Sequence, residues 1–370
     1  MRLNNARQKN SFLFCIAFGF HYLCNKNTRQ MEGFSYQQLW QQLVPLYEAG
    51  EARALIRMLM ETRFGINLSD LLCYGTSQLD EEQHERLSKM ISRLQTSEPI
   101  QYVLGEAQFY GRTFHVSPGV LIPRPETEVL CRWIVESAVL TPTLSPPEEI
   151  AKTFRILDIG CGSGCIAITL ALEIKGAQVT AWDISPKALE VTRLNADSLG
   201  AHIIAEHCDI LATTKKPGKS GESGESGISA PYDIIVSNPP YICRHEAGDI
   251  HPNVLSHEPH EALFVPDTDP LCFYDAIARY AADHLHPEGL LFFECNAAYT
   301  EEVACLLTEK GFRDVSTHDD DFGKTRFVRA HAIPQNRRSI LQSDLSDLSD
   351  LSDLSDLSDL SDLSDKKKKQ

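Results

Sequence analysis

The sequence predicts an α/β chain: a doubly wound, mostly parallel sheet, preceded by a small helical domain and a linking β-hairpin. Three observations predict it. From Phe154 onward, short apolar runs closed by Gly, Asp or Asn alternate with segments of helical apolar spacing, the pattern of parallel strands covered by helices. Between Ser35 and Gln95 apolar residues recur at helical spacing alone. Near the end, "FRDVSTHDD" and "KTRFVRAHA" follow one another with no helix between them, so they must pair antiparallel at one sheet edge.

Taken in order, Leu39, Leu43, Leu46 and Tyr47 mark a first helical stripe, and Leu55, Ile56, Leu59 and Met60 a second. Ser69 with Asp70, and Asp80 with Glu81, are candidate N-terminal caps. "AQFYGRTFHVSPGVLI" alternates around Gly111 and reads as a hairpin running into "PRPETE", residues 123–128. "LTPTLSPPEE" is a surface loop by its Pro, Ser and Thr content. The strand "FRILDIG" then leads to the helix "GCIAITLALEI", "AQVTAWDIS" to "PKALEVTRLNADSLG", and "HIIAEHCDI" closes that half. "YDIIVSN", the helix "LCFYDAIARYAADHL", the strand "GLLFFECN" and the helix "TEEVACLLTEKG" follow.

Two stretches are of low complexity. "TTKKPGKSGESGESGIS" reads as a flexible Gly/Ser insertion between strands, and the Ser-Asp-Leu repeat from Ser343 has a period that fits neither a helix nor a strand face. Residues 1–30 place Arg2, Arg7 and Lys9 ahead of the apolar "FLFCIAFGFHYLC". That imitates a secretory signal without a small-residue cleavage site and is short for a bilayer span. It is either an over-extended gene start, with Met31 the true one, or a signal, anchor or arm.

Composition narrows the function. Of a formal net charge of −16 over 370 residues, the tail's eight Asp and four Lys carry −4, leaving −12 on the body. That balance opposes a protein built to grip a phosphate backbone. Eleven Cys, none in a C-x-x-C pair, point to a reducing compartment rather than a disulfide framework or a zinc ribbon.

The chemistry sits at strand ends. In "LDIGCGSG", Asp158 closes a strand and Gly160, Cys161, Gly162, Ser163 and Gly164 form a turn before a helix. Glycines there let backbone approach a ligand, and the helix start offers free N–H groups. The dinucleotide fingerprint needs its third Gly at Cys165, and the Lys-Ser/Thr of a P-loop is missing; the turn resembles that of S-adenosylmethionine-dependent methyltransferases instead. Asp183 ends the next strand, where a carboxylate can accept from both hydroxyls of a ribose, or can cap the helix beginning near Pro186. Asp209 ends the third strand; Ile210 beside it offers an adenine ring an apolar contact.

The fourth strand must stop at Asn238, because Pro239 and Pro240 cannot continue a sheet ladder. The resulting "NPPY" turn presents the Asn238 side-chain oxygen and the Pro239 carbonyl to a planar NH₂ group, with Tyr241 packed over it. That arrangement suits methylation of an amide or exocyclic amino nitrogen by positioning, without a strong base or a metal. The His-rich loop lacks the helical His-Glu-x-x-His spacing at His257, Glu258 and His260, so it reads as a substrate-facing loop.

"EPIQYVLGEAQFYGRTFHVSPGVLIPRPETE", "LDIGCGSGCIAI", "VSNPPYI" and "EPHEALF" together closely resemble the release factor glutamine N5-methyltransferase family, of PrmC/HemK type. The likeness spans about Ser35 to Ala330. It implies the seven-stranded S-adenosylmethionine-dependent methyltransferase sheet with a C-terminal antiparallel hairpin. The implied reaction moves a methyl group from S-adenosyl-L-methionine to the side-chain amide of the Gln in the Gly-Gly-Gln motif of class 1 peptide release factors. It places cofactor contacts on Gly160 to Gly164, Asp183 and Asn238, and substrate contacts on Asn238, Pro239, Pro240 and Tyr241. Ile210 departs from the family, where an aromatic residue is frequent. "NPPY" is also shared with enzymes that methylate DNA adenine or ribosomal RNA guanine, the competing reading; a non-catalytic module is a third. The expected organisation is an extension (1–30), a helical substrate-recognition domain (31–98), a hairpin linker (99–128), a catalytic domain (129–333) and a disordered tail (334–370). A cytoplasmic monomer with no metal, no stable nucleic-acid partner and no membrane association completes the expectation.

Overall fold

The structure, a computed structural model, describes residues 33–140, 154–213 and 231–332. The N-terminal extension, the 141–150 loop, nearly all of the Gly/Ser insertion and the Ser-Asp-Leu tail lie outside the described residues. The chain divides into two compact units between Leu104 and Gly105.

The first unit is helical: α1 Tyr36–Gln41, α2 Ala49–Phe64, α3 Leu68–Tyr74, α4 Glu81–Leu94 and α5 Ile100–Leu104. Leu39, Leu43, Ile56, Leu59 and Met60 are fully buried, as the spacing requires, but α1 ends at Gln41 and Leu46, expected on the same stripe, is exposed in the turn that follows. Asp80 caps α4 in a reciprocal box with Gln83: the Gln83 N–H donates to Asp80 at 2.7 Å and the Asp80 N–H to the Gln83 side chain at 3.0 Å. The cap of α3 is Asn67 rather than Ser69, because the helix starts one residue after it and its side chain accepts the Asp70 N–H at 3.0 Å.

In the second unit β1 (Glu106–Phe109) and β2 (Arg112–His115) form the expected antiparallel hairpin. The next element, α6 (Pro125–Leu140), begins inside "PRPETE" where the hairpin reading ran on. Pro reads as a turn residue, yet it also suits the first turn of a helix, whose N–H groups have no partner to lose. Then come β3 (Phe154–Ile159), α7 (Cys165–Glu173), β4 (Ala177–Asp183), α8 (Pro186–Leu199), β5 (Ile203–His207), the short α9 (Ile210–Thr213) and β6 (Tyr232–Ser237). The remainder is β7 (Ile242–Cys243), α10 (Pro252–His257), α11 (His260–Leu263), β8 (Phe264–Val265), α12 (Cys272–His284), β9 (Leu285–Glu294), α13 (Thr300–Glu309), β10 (Arg313–Asp319) and β11 (Thr325–His331).

Seven strands make the main sheet in the order β10-β11-β9-β6-β3-β4-β5, parallel except where β11 joins β9 and β10 joins β11. The edge hairpin is thus where the missing helix put it. Both faces are covered, so the strands are apolar in both alternations. Ile156, Val236, Phe292 and Phe327 enter one core with Leu130, Ile134 and Ile168. Their neighbours Leu157, Ile235, Phe293 and Val328 enter the other with Tyr274 and Ile277. Each such side chain contributes about 1.5–3 kcal/mol of burial, which holds the sheet rigid beneath the loops at its carboxyl edge.

Candidate active site

Strand order reverses at β3, with β4 on one side and β6 on the other. In open α/β sheets the crevice beyond the carboxyl ends at such a point is where ligands bind. A cavity of about 290 Å³ lies there, lined by the glycine turn, Asp183, Asp209, Ile210 and Asn238 among others. A smaller one of about 90 Å³ adjoins it and is lined by Tyr241, Ile242 and Val254; Asn238 and Pro239 belong to both.

The turn is tied down from below. The Gly160 and Cys161 N–H groups both donate to the Trp182 carbonyl, at 2.8 and 3.0 Å, and Asn195 on α8 donates to the Ser163 carbonyl at 2.9 Å. Gly160 and Gly162 have φ of +77° and +56°, and a Cβ on either would meet nothing within 4 Å. Because both line the cavity, any side chain there would occupy ligand space. Gly164 has a different reason: its Cβ would come within 2.9 Å of Thr192 and 3.0 Å of Ile168, so it serves helix packing.

Asp183 ends β4, and its two carboxylate oxygens accept the Gly162 and Ser185 N–H groups at 2.9 and 2.8 Å. The helix cap is Ser185, whose hydroxyl accepts the Ala188 N–H. Burial raises the Asp183 carboxyl, and the two backbone N–H groups hold it down. Asp209 stands beyond the end of β5 and caps α9, one oxygen accepting the Leu211 and Ala212 N–H groups at 2.9 and 3.2 Å. Ile210 is buried and gives the cavity an apolar wall beside Phe273 and Ile277.

Asp158 is placed differently from the expectation. It shares a strand face with Ile156, two residues back, so it points beneath α7 and does not line the cavity. Fully buried, it accepts the Ala167 N–H at 3.0 Å through one oxygen and has no partner at the other. Burial pushes its carboxyl up to about 7, with Asp183 adding to the rise and the Ala167 N–H opposing it. A raised folded-state value means that its stabilising contribution is full below about pH 4 and is lost as pH rises through about 7. Asp158→Asn is therefore expected to melt several degrees higher than the native chain at pH 8 and to lose most of that advantage by pH 5. Melting curves at the two pH values check it, and a variant that melts lower at pH 8 contradicts it.

The strand β6 ends at Ser237, whose hydroxyl donates to the Ile159 carbonyl at 2.6 Å, clamping β6 to β3 just before the proline turn. Asn238 donates its side-chain N–H to the Thr127 hydroxyl oxygen at 3.3 Å, and Thr127 donates to Glu294 at 2.7 Å. Pro239 is buried, Pro240 is half-buried, and Tyr241 walls the smaller cavity. Sequence reading missed three residues here: Thr127, Glu294 and Arg124, whose guanidinium pairs with the buried Glu258 at 2.7 Å. That pair joins "PRPETE" to the His-rich loop, and the Ile122 N–H donates to the same carboxylate at 3.3 Å. Glu258 is thus engaged, and His260 bonds the Leu255 carbonyl at 2.8 Å. Among the described residues, Cys243, His245 and Asp267 are the group that comes within mutual ligand range.

A parallel sheet with this strand order, an antiparallel hairpin at its edge and open glycines, one bonded to an acid, on the wall of a cavity at the carboxyl edge is the class of S-adenosylmethionine-dependent methyltransferases. The family model for the methyltransferase small domain matches residues 135–259, and that for the PrmC N-terminal domain matches residues 41–105. A release factor glutamine methyltransferase of Bacteroides thetaiotaomicron is 40% identical over 291 residues, 79% of this chain and 96% of that one. One of Flavobacterium psychrophilum is 36% identical over 294 residues, 80% and 96% of the two chains. The solved structure of a release-factor-specific protein-(glutamine-N5) methyltransferase from Alicyclobacillus acidocaldarius is 27% identical and covers 60% of this chain and all of that one, at a TM-score of 0.33. The chain belongs to the release factor glutamine methyltransferase family.

Proposed function

We infer that this protein transfers a methyl group from S-adenosyl-L-methionine to the side-chain amide nitrogen, N5, of the glutamine in the Gly-Gly-Gln motif of class 1 peptide chain release factors. The observation that carries the reading is the meeting of two cavities, one cofactor-sized and one small, at Asn238 and Pro239. When bound, S-adenosylmethionine supplies a methyl group already activated on a sulfonium. Gly160, Gly162 and Asp183 are the residues that hold it, the first two by leaving room and the third by accepting from hydroxyl donors. Ile210 would offer its ring system an apolar wall, and Asp209 keeps Ile210 in place by capping α9.

A glutamine amide is planar and a poor nucleophile, so orientation is the chief contribution the chain can make. The Asn238 side-chain oxygen and the Pro239 carbonyl accept its two N–H groups, and Tyr241 and Pro240 confine its plane. The nitrogen sheds its proton readily once alkylated, so no general base is needed. The helical unit, whose described residues run to Leu104 rather than to residue 98, serves as the substrate-recognition domain, and the hairpin that follows leads into the catalytic residues. No helix among the described residues is long and apolar enough to cross a membrane, and the nine described cysteines are free thiols. The free thiols fit a reducing compartment, and the acidic body fits a protein substrate better than a nucleic-acid partner; the reading is a cytoplasmic monomer without stable nucleic-acid or membrane association.

The test is direct. The full chain, S-adenosylmethionine and a purified class 1 release factor are incubated, and methylation is mapped by peptide mass spectrometry. One added methyl on the Gly-Gly-Gln glutamine is expected. An unmodified factor, with donor binding verified by calorimetry, would move the substrate to an adenine or guanine amino group of DNA or RNA.

A further inference from the structure

Behind the Asn-Pro-Pro-Tyr turn lies a carboxylate to which that mechanism gives no role. Glu294 ends β9, the strand beside β6, and is 1% exposed. It accepts the hydroxyl of Thr127, itself 2% exposed, at 2.7 Å. A threonine hydroxyl has one proton. Once that proton is committed to an ionised carboxylate, Thr127 offers Asn238 only lone pairs. The Asn238 amide must then turn its nitrogen toward Thr127, as it does at 3.3 Å, and its oxygen is left for the cavity.

We propose that Glu294 is a positioning residue: through the Thr127 hydroxyl it fixes which end of the Asn238 amide meets the substrate. The inference rests on the reading of Asn238 as acceptor for the glutamine NH₂. Protonation of Glu294 reverses the chain of donors. The carboxylic acid donates to Thr127, Thr127 donates to the Asn238 oxygen, and the Asn238 nitrogen faces a substrate group that is itself a donor. Two N–H groups then oppose each other in a dry site, and the bond that orients the substrate goes unmade.

The surroundings bring this reversal within reach of ordinary pH. The groups facing Glu294 are Glu126 and Cys131 on α6, Arg326 on β11, Tyr241 in the turn, Cys165 on α7, Tyr274 on α12 and the adjacent Cys295. Burial pushes these thiols and phenols upward, so they stay neutral near pH 7 and leave Glu126 and Arg326 as the charged neighbours. Burial also pushes Glu294 up to about 7; Glu126 adds to the rise, while the Thr127 and Asn238 hydrogen bonds and Arg326 oppose it. The ionised form is the productive one, so turnover should climb as pH rises through that value.

The experiment measures kcat and KM for release-factor methylation by the full chain between about pH 5.5 and 9, with Glu294→Gln, Thr127→Val and Thr127→Ser beside the native chain. Thr127→Val is expected to lose about 100-fold in kcat and the acid limb of the native profile, with donor affinity by calorimetry within about threefold; Glu294→Gln, whose amide oxygen still accepts from Thr127, should keep turnover within about tenfold but lose the acid limb. Thr127→Ser, which keeps the hydroxyl, should recover most of the turnover lost in Thr127→Val and keep the limb. An unchanged acid limb in Glu294→Gln would overturn the proposal. So would equal losses in the two Thr127 variants, since then the methyl group and not the hydroxyl would matter. If Glu294→Gln does not fold, the Thr127 pair decides. A native chain that leaves the release factor unmethylated would instead defeat the functional reading beneath it.

Discussion

Replacing Asn238 with alanine is expected to lower kcat by about 1,000-fold or more, the scale on which a single preorganised site contact acts, while S-adenosylmethionine affinity changes by less than about tenfold. The donor-side residues (Gly160, Gly162, Asp183) are held by the Trp182 carbonyl, by Asn195 through the Ser163 carbonyl, by the Ser185 N–H and by the Gly162–Asp183 bond itself, none of which passes through Asn238. The side chain bonds Thr127 and also interacts with the Glu294 carboxylate behind it, and the Thr127 hydroxyl keeps its stronger partner Glu294 when Asn238 is gone. The fold therefore loses little. The reaction loses the oxygen that orients a planar nitrogen. Single-turnover methylation at saturating donor, paired with calorimetry, separates the two quantities. Turnover within tenfold of native would mean that the Pro239 carbonyl alone suffices, and equal losses in turnover and donor binding would make Asn238 a cofactor residue instead.

How much of this site could be read from the sequence depends on how far apart its parts lie along the chain. The glycine turn, Asp183 and Asn238 each sit at the end of a recognisable strand, so their local spacing locates them at one sheet edge before any coordinates. Thr127 meets Glu294, and Ile122 and Arg124 meet Glu258, over separations of more than a hundred residues, which no local period records. Glu294 did leave a trace: an acid closing the apolar run "LLFFE" is costly unless it has partners. The helix Pro125–Leu140 was hidden for another reason. Its sequence opens on a proline and is apolar around much of its circumference, as suits an element packed against the sheet through Leu130 and Ile134. The place of Asp158 at a strand end suggests the cavity, but strand alternation sets it on the face of Ile156, beneath α7.

Asp183→Ala is expected to weaken S-adenosylmethionine binding by at least about 100-fold, since each hydrogen bond to a charged group is worth about 1.5–3 kcal/mol and the carboxylate can serve two. Each oxygen already accepts one backbone N–H, from Gly162 and from Ser185, which fixes the carboxylate plane and leaves further lone pairs for a neighbouring diol. Asp183→Asn discriminates this from a simple charge effect. Its amide offers one oxygen where two are in use, so its NH₂ must face either the Gly162 or the Ser185 N–H, donor against donor. The asparagine variant should consequently bind almost as weakly as the alanine variant, although it is nearly the same shape. Because the amide-orienting groups lie across the cavity on a different strand, turnover at saturating donor should fall far less than affinity. Calorimetric affinity and saturating kcat, measured on both variants, test both halves. If Asp183→Asn binds like the native chain, Asp183 serves only to hold the glycine turn, and the hydroxyl acceptor must be sought among the other residues that line the cavity, Asp209 first.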